Sequence, residues 1–275
     1  MKKIAFQGEK GAFSEDAAYH YWGNNIIPIP CKYFRDVFEL VTAGNADYGI
    51  IPVENSLTGS IHQNIDLLLE FDLSVIGEII LKIQHNLLTI KKVNLKEIRE
   101  IYSHPQALQQ CSEFLKTMKH CEIRSMDDTA GSARYIKKHQ KNDSAAIASL
   151  RAGKEYGLQV IKKNIENNHQ NFTRFLIVAK IPQIPVGNAK TSVIFSVKDV
   201  PGALFKALAV FALRDINLLK IESRPLQKGP WKYWFYLDFE GNIEEEKCKN
   251  AINHLQEITI FFKVLGSYLP GKVVE

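Results

Sequence analysis

The sequence predicts an α/β protein in two parts, and three observations carry that prediction. Short apolar strands alternate with amphipathic helices through most of the chain, the pattern of an α/β layer fold. The segment Ile181-Pro182-Gln183-Ile184-Pro185-Val186-Gly187-Asn188 then carries prolines and a glycine close together, which marks a linker at 181–190. Beyond it the order strand, helix, strand, strand, helix, strand fills about 80 residues, a ferredoxin-like arrangement. A length of 275 residues suits two domains. A chain of that size, 45% hydrophobic, buries most of its apolar surface without disulfide or metal staples.

The elements follow in order. Ile4-Ala5-Phe6 reads as a strand ending at Gln7-Gly8, and Gly11-Ala12-Phe13-Ser14 opens a helix. Ser14 is its expected N-cap, with Glu15 and Asp16 suited to the positive end of the helix dipole. A second helix fits 33–43, with Phe34, Val37, Phe38 and Val41 as its apolar stripe. Three segments then repeat one pattern of apolar strand, polar turn and helix. The first joins the strand 48–53 through a turn at 54–60 to a helix carrying Ile61, Ile65 and Leu68. The second joins 98–102 through Ser103-His104-Pro105 to a helix carrying Leu108, Cys111 and Leu115, with Pro105 well placed for the first helical position. The third joins 121–126 through Asp127-Asp128-Thr129 to a helix carrying Ala133 and Ile136. Small residues at 144–149 form a strand and turn, 150–156 a short helix, and Phe175-Leu176-Ile177-Val178 a further strand. After the linker, strands are expected at 191–197, 216–222, 233–239 and 259–265, with helices from Gly202 and over 243–256.

The charge balance, 35 Lys plus Arg against 30 Asp plus Glu, is mildly basic, and no basic block exceeds a pair. That speaks against a nucleic-acid stripe and suits small anionic substrates and a solvated surface alike. Cys31, Cys111, Cys121 and Cys248 form no C-x-x-C pair, so zinc and thioredoxin chemistry have no support, and idle thiols in a reducing cytoplasm are expected. The apolar stretch after Met1-Lys2-Lys3 is too short for a signal peptide, and no run approaches membrane-spanning length. The eight histidines show no metal spacing. Neither a Gly-rich phosphate loop with its lysine nor a G-x-S-x-G elbow is present.

In the first two repeated segments the helix opens without an acid, at Ile61-His62-Gln63-Asn64 and Gln106-Ala107-Leu108-Gln109. Free N–H donors at such an end attract anions, so the turns at 54–60 and 103–105 rank ahead of the helix after Ser14, which carries its own acids. Three such turns in one domain suggest a cleft, although each alone also reads as an ordinary cap. The run Asn168-His169-Gln170-Asn171-Phe172-Thr173-Arg174-Phe175 is dense in hydrogen-bonding side chains just before an apolar strand, as expected of a site or of a well-bonded loop. Arg174 is suited to forked pairing with a carboxylate. If the strand already includes this run, Thr173 and Phe175 share one face and Arg174 takes the other, which favours Thr173.

Taken together, Gly11-Ala12-Phe13-Ser14, Pro52-Val53-Glu54-Asn55-Ser56, Ser103-His104-Pro105-Gln106, Asp128-Thr129-Ala130 and Asn171-Phe172-Thr173-Arg174-Phe175 resemble the prephenate dehydratase family. Gly202-Ala203-Leu204-Phe205 and Glu222-Ser223-Arg224-Pro225 resemble the phenylalanine-binding motifs of its ACT regulatory domain. The resemblance implies a catalytic domain over 1–180 with two α/β lobes, like a periplasmic binding protein, and an ACT domain over 191–270. It implies conversion of prephenate to phenylpyruvate, carbon dioxide and water, without cofactor or metal, in a cytoplasmic homodimer or homotetramer inhibited by L-phenylalanine.

On the same basis Thr173 is the catalytic residue. Asn55, Ser56, Ser103, Gln110, Asp127, Thr129, Arg174 and Phe175 face the substrate, and Gly202, Ala203, Leu204, Glu222, Ser223 and Arg224 hold the effector. Asp127 stands where relatives often have glutamate. It serves as a general acid or a helix cap, and Asp128 is able to replace it. Glu222 meets the effector's ammonium or pairs with Arg224, and Leu204 fits plain core packing. Arogenate, the aminated analogue, is the alternative substrate. A non-catalytic amino-acid sensor is the alternative function.

Overall fold

The computed structural model describes residues 1–225 and 233–275. The chain divides into two compact units, one comprising Met1–Ile61, Ile79–Phe175 and Val273–Glu275, the other His62–Glu78 and Leu176–Lys272. In chain order the elements are β1 (Lys2–Gln7), α1 (Phe13–Trp22), β2 (Ile26–Cys31), α2 (Phe34–Thr42), β3 (Tyr48–Asn55), β4 (Gly59–Ser60), α3 (His62–Glu70), β5 (Ser74–Lys82) and β6 (Asn86–Thr89). There follow β7 (Glu100–Ser103), α4 (Pro105–Gln110), α5 (Ser112–Lys116), β8 (Glu122–Ser125), α6 (Thr129–Lys138), β9 (Ser144–Ala148), α7 (Leu150–Glu155), β10 (Gln159–Lys162) and β11 (Phe172–Ala179). The rest is β12 (Lys190–Ser196), α8 (Ala203–Ala212), β13 (Leu218–Pro225), β14 (Tyr233–Glu240), α9 (Glu246–Ile258), β15 (Phe261–Tyr268) and β16 (Lys272–Val274).

The first unit takes strands from two sheets, one per lobe, and parts of β5, β11 and β16 fall in the second unit. In the first, the order is β16-β5-β11-β3-β1-β2, with β4 folded back on β3. β1 pairs in parallel with both β2 and β3. Such strands are covered on both faces, and accordingly Ile4, Ala5, Phe6, Ile50 and Ile51 are wholly buried. β2 reads Ile-Ile-Pro-Ile-Pro-Cys and ends the order, where a missing backbone donor costs little. Its prolines hid it from a reading based on alternation. The second sheet has order β10-β6-β9-β7-β8, over a core of Leu87, Ile98, Ile101, Cys111, Met118 and Ile147. The expected α/β class and two-lobed plan hold.

Three local expectations change in this unit. The single helix expected through Leu108, Cys111 and Leu115 is two, α4 and α5, which meet at Cys111. α1 begins at Phe13 with Ala12 as N-cap, so Ser14 lies inside the first turn and is buried. The turn at 54–60 does not lead straight into a helix. It is a hairpin in which Glu54 and Asn55 pair with Ser60 and Gly59, and α3 starts only at His62.

The second unit contains the βαββαβ run β12-α8-β13-β14-α9-β15, with antiparallel sheet order β13-β14-β12-β15. Val193, Phe195, Phe211, Leu237, Phe239 and Leu255 are buried between this sheet and its helices. Both helices sit where the apolar spacing placed them, although α9 starts at Glu246 rather than at 243, after Asn242 takes Glu245 Oε1 on its backbone N–H at 2.8 Å.

Candidate active site

Within the first unit a cleft of about 370 Å³ opens between the two sheets, a size that suits a small organic ligand. One wall comes from the loop after β1 and the start of α1 (Gln7, Gly8, Ala12, Phe13, Ser14), from β3 (Pro52, Asn55) and from β11 (Thr173, Phe175). The facing wall comes from α4 and its N-cap (His104, Gln106, Ala107, Gln110) and from the start of α6 (Asp127, Asp128, Thr129). Phe34 at the start of α2, Ile61, and Ile83 and His85 on the segment joining β5 to β6 complete it.

Three helix N-termini therefore border the cleft, but not the set ranked first from sequence. The α1 terminus is present because Glu15 turns back on its own loop and accepts the Gly11 N–H at 2.5 Å. Burial pushes the Glu15 carboxyl pKa up, and the Gly11 N–H works against that. His104 caps α4, its Nδ1 accepting the Gln106 N–H at 3.2 Å, and burial pushes its pKa down despite Asp127 and Asp128 nearby. Gln106 Nε2 donates across to Thr58 Oγ1 at 2.8 Å. At α6 the cap is Asp128, whose side chain accepts the Gly131 N–H, while Asp127 stands exposed on the cleft wall. Capping work thus falls to Asp128 and leaves Asp127 for the cleft.

Thr173 sits at the centre of a buried polar network. Asn55 Nδ2 donates to Asn171 Oδ1 at 2.7 Å, to Thr173 Oγ1 at 3.0 Å and to the Phe172 carbonyl at 3.1 Å. Asn55 Oδ1 accepts the backbone N–H groups of Leu57 and Thr58, each at 3.1 Å. Every hydrogen-bonding direction of Asn55 is thereby spent on the protein. It holds Thr173 rather than offering a group to the cleft. Because Thr173 Oγ1 accepts from Asn55, its own proton is left to donate into the cleft.

The remaining expected residues separate clearly. Gln110, Asp127, Thr129 and Phe175 line the cleft with Thr173. Ser103 is fully buried and donates to the Ile147 carbonyl at 2.6 Å. Ser56 brackets the start of β11, donating to the Gln170 carbonyl and accepting the Phe172 N–H, each at 2.9 Å. β11 includes Thr173, so Arg174 points to the opposite face, 3.7 Å from Glu54. Sequence reasoning missed Phe13, Pro52, His85 and Gln106 as cleft residues. A lone histidine between an apolar strand and Asn86 carries no spacing signal.

The family model for prephenate dehydratase matches residues 4–183, and the ACT domain model matches residues 191–253. The chain belongs to the prephenate dehydratase family. It is 47% identical to arogenate dehydratase/prephenate dehydratase 2, a chloroplastic protein of Arabidopsis thaliana, over 97% of this chain and 72% of that relative. The prephenate dehydratase of Arthrobacter aurescens, solved in complex with L-Phe, superposes with a TM-score of 0.90 at 30% identity, over 98% of this chain and 90% of that one. GqqA, described as a novel type of quorum quenching acylase, superposes with a TM-score of 0.88 at 31% identity, over 98% of both chains.

In the ACT part of this family member, Gly202 caps α8 with φ of 77°, a left-handed conformation that glycine takes without strain, and Ala203 opens that helix. Leu204 packs against the core of that unit. Arg224 grips Asp66 with both arms of its guanidinium, and Glu222 lies 3.1 Å from His62. Glu222 and Arg224 line a small cavity with Trp234 and Tyr236, whereas Gly202, Ala203, Leu204 and Ser223 lie outside its lining. The described chain does not gather the two effector motifs into one pocket. Among the described residues no helix is long and apolar enough to cross a membrane.

Proposed function

We propose that this dehydratase acts on prephenate, releasing water and carbon dioxide to form phenylpyruvate. The observation that carries the mechanism is the Thr173 hydroxyl, which is pinned as an acceptor by Asn55 and so turned into a donor toward the cleft. In the reaction the ring carboxylate leaves as carbon dioxide. Its bonding pair moves through the ring, and the opposite carbon–oxygen bond breaks to expel the hydroxyl, which takes up a proton and departs as water. Aromaticity drives the change. The protein's tasks are to hold a dianion and to assist the departing oxygen. Helix N-termini and the Gln110 amide suit the first task. Thr173 suits the second, by a hydrogen bond that strengthens as charge grows on the leaving oxygen.

Thr173→Val removes that donor at nearly constant volume. The expected loss in kcat is about 10²–10³-fold, with a smaller change in KM. Wild-type turnover by the purified variant overturns the role given to Thr173. Supplying prephenate and arogenate together and comparing kcat/KM decides between these two substrates. Carbon dioxide release from either excludes a purely sensory role. The same reading takes 1–180 as the catalytic domain and 191–270 as an ACT domain that binds L-phenylalanine in a cytoplasmic homo-oligomer.

A further inference from the structure

The network behind Thr173 has a direction, and the direction is set by groups that cannot turn round. The Leu57 and Thr58 backbone N–H groups only donate, and the Phe172 carbonyl only accepts. They force Asn55 to present Oδ1 to the 55–58 turn and Nδ2 to β11. Asn171, wholly buried, must then meet Asn55 with Oδ1, which leaves its Nδ2 to donate to Gln110 Oε1 at 3.1 Å. The same Gln110 oxygen lies 2.8 Å from His85 Nε2. An amide oxygen only accepts, so His85 must carry its proton on Nε2. Its Nδ1 is buried with no hydrogen-bond partner among the described residues. No group among the described residues takes the Gln110 Nε2 hydrogens, and Gln110 lines the cleft.

We propose that His85 is a positioning residue for the reaction, whose Nε2–H locks the Gln110 amide with its oxygen inward and its NH2 group turned to the cleft as a donor for the anionic substrate. Without that second donor only Asn171 holds the Gln110 oxygen inward, and the amide is freer to turn its oxygen toward the substrate and repel it. The ring is well placed for the task. It is 2% exposed, its backbone N–H is held by Glu166 Oε2 at 2.9 Å, and the Phe13 ring stands edge-on to it at 5.5 Å. Burial pushes the imidazole pKa below its ordinary value, which keeps the ring neutral and its tautomer decided by Gln110. The proposal rests on the dehydratase reading for its substrate, but the tautomer does not depend on it.

Long-range proton–nitrogen NMR on the full chain, with ring-labelled histidine, reads the tautomer directly. His85 should show a protonated Nε2 and a bare Nδ1 at neutral pH, assigned by the signal missing in His85→Gln. A protonated Nδ1 overturns the proposal, whatever the substrate. Kinetics supply the second arm. His85→Leu should lose about ten- to a hundredfold in kcat/KM for prephenate. His85→Gln, which can place an amide N–H near the same point, should recover most of that loss. In a Gln110→Ala background, His85→Leu should cost no more than about twofold, because its route of action is gone. An equal loss in both backgrounds means a merely structural role and overturns the proposal. Wild-type protein inert toward both prephenate and arogenate removes the dehydratase reading instead, while the tautomer still decides the lock.

Discussion

In the proposed reaction, the hydroxyl of Thr173 illustrates how a weak acid becomes useful. A neighbouring amide occupies its lone pair and so aims its proton. A second residue shows the same economy in service of stability. Glu100 receives Lys141 Nζ at 2.7 Å, the Tyr102 hydroxyl at 2.9 Å and Ser144 Oγ at 3.1 Å. Its pKa is lowered, chiefly by the Lys141 hydrogen bond. A depressed carboxylate contributes fully above its unfolded pKa of about 4.3 and loses that contribution as pH falls through the lower folded value. Glu100→Gln should therefore cost about 1–2 kcal/mol near neutral pH, and the gap from wild type should close in acid. Urea unfolding at neutral pH and at about pH 3 checks this, and a gap of constant size refutes it. At this scale the sequence was legible in residue type more than in role. The order of polar residues singled out Thr173, but the occupation of every Asn55 hydrogen bond by protein groups required the positions of Leu57, Asn171 and Phe172.

Elements carry the next layer of the site. The α1 terminus reaches the cleft because the loop before it folds onto α7. Gly11 adopts φ of 88°, and a Cβ there would stand 2.6 Å from Ala152 Cα. Its carbonyl accepts Ser149 Oγ at 2.6 Å, while Arg151 reaches Asp16 at 2.7 Å. Gly11→Ala should destabilise the protein by about 2–3 kcal/mol, through both the clash and the backbone conformation, and lower turnover by shifting the α1 terminus. Thermal unfolding beside a prephenate assay checks it, and an unchanged Tm refutes the packing account. Helices and most central strands were legible because their periodicity is local. The hairpin at β4, the proline-bearing β2, and β5 and β6 were not. Their pairing partners lie elsewhere in the chain, and no local rule names them. Acidic residues after Ser14 argued against an anion site there, yet Glu15 is consumed by the Gly11 N–H, a contact that depends on the shape of the loop.

For the whole molecule, the matched families join a dehydratase to an ACT domain. An effector acts only through unequal affinity for two states of the enzyme. L-phenylalanine should lower prephenate turnover by more than half at about millimolar concentration, and Arg224→Ala should weaken that response, since Arg224 lies in the Glu222-Ser223-Arg224-Pro225 motif that resembles the family's effector-binding motif. A flat activity curve over that range speaks against it. By itself the sequence determined the α/β class, the βαββαβ order and the family, because these reside in local periodicity and in the order of short motifs. Tertiary structure alone decided that Ser56 and Ser103 bond to backbone groups and Arg174 lies beside Glu54, that Asn55 holds Thr173, and that His85 joins the cleft. Hydrogen-bond direction is the physical reason. It passes between residues as far apart in the chain as Asn55 and Asn171, and it starts from backbone donors and acceptors that come within reach of Asn55 only once β3 and β11 lie side by side.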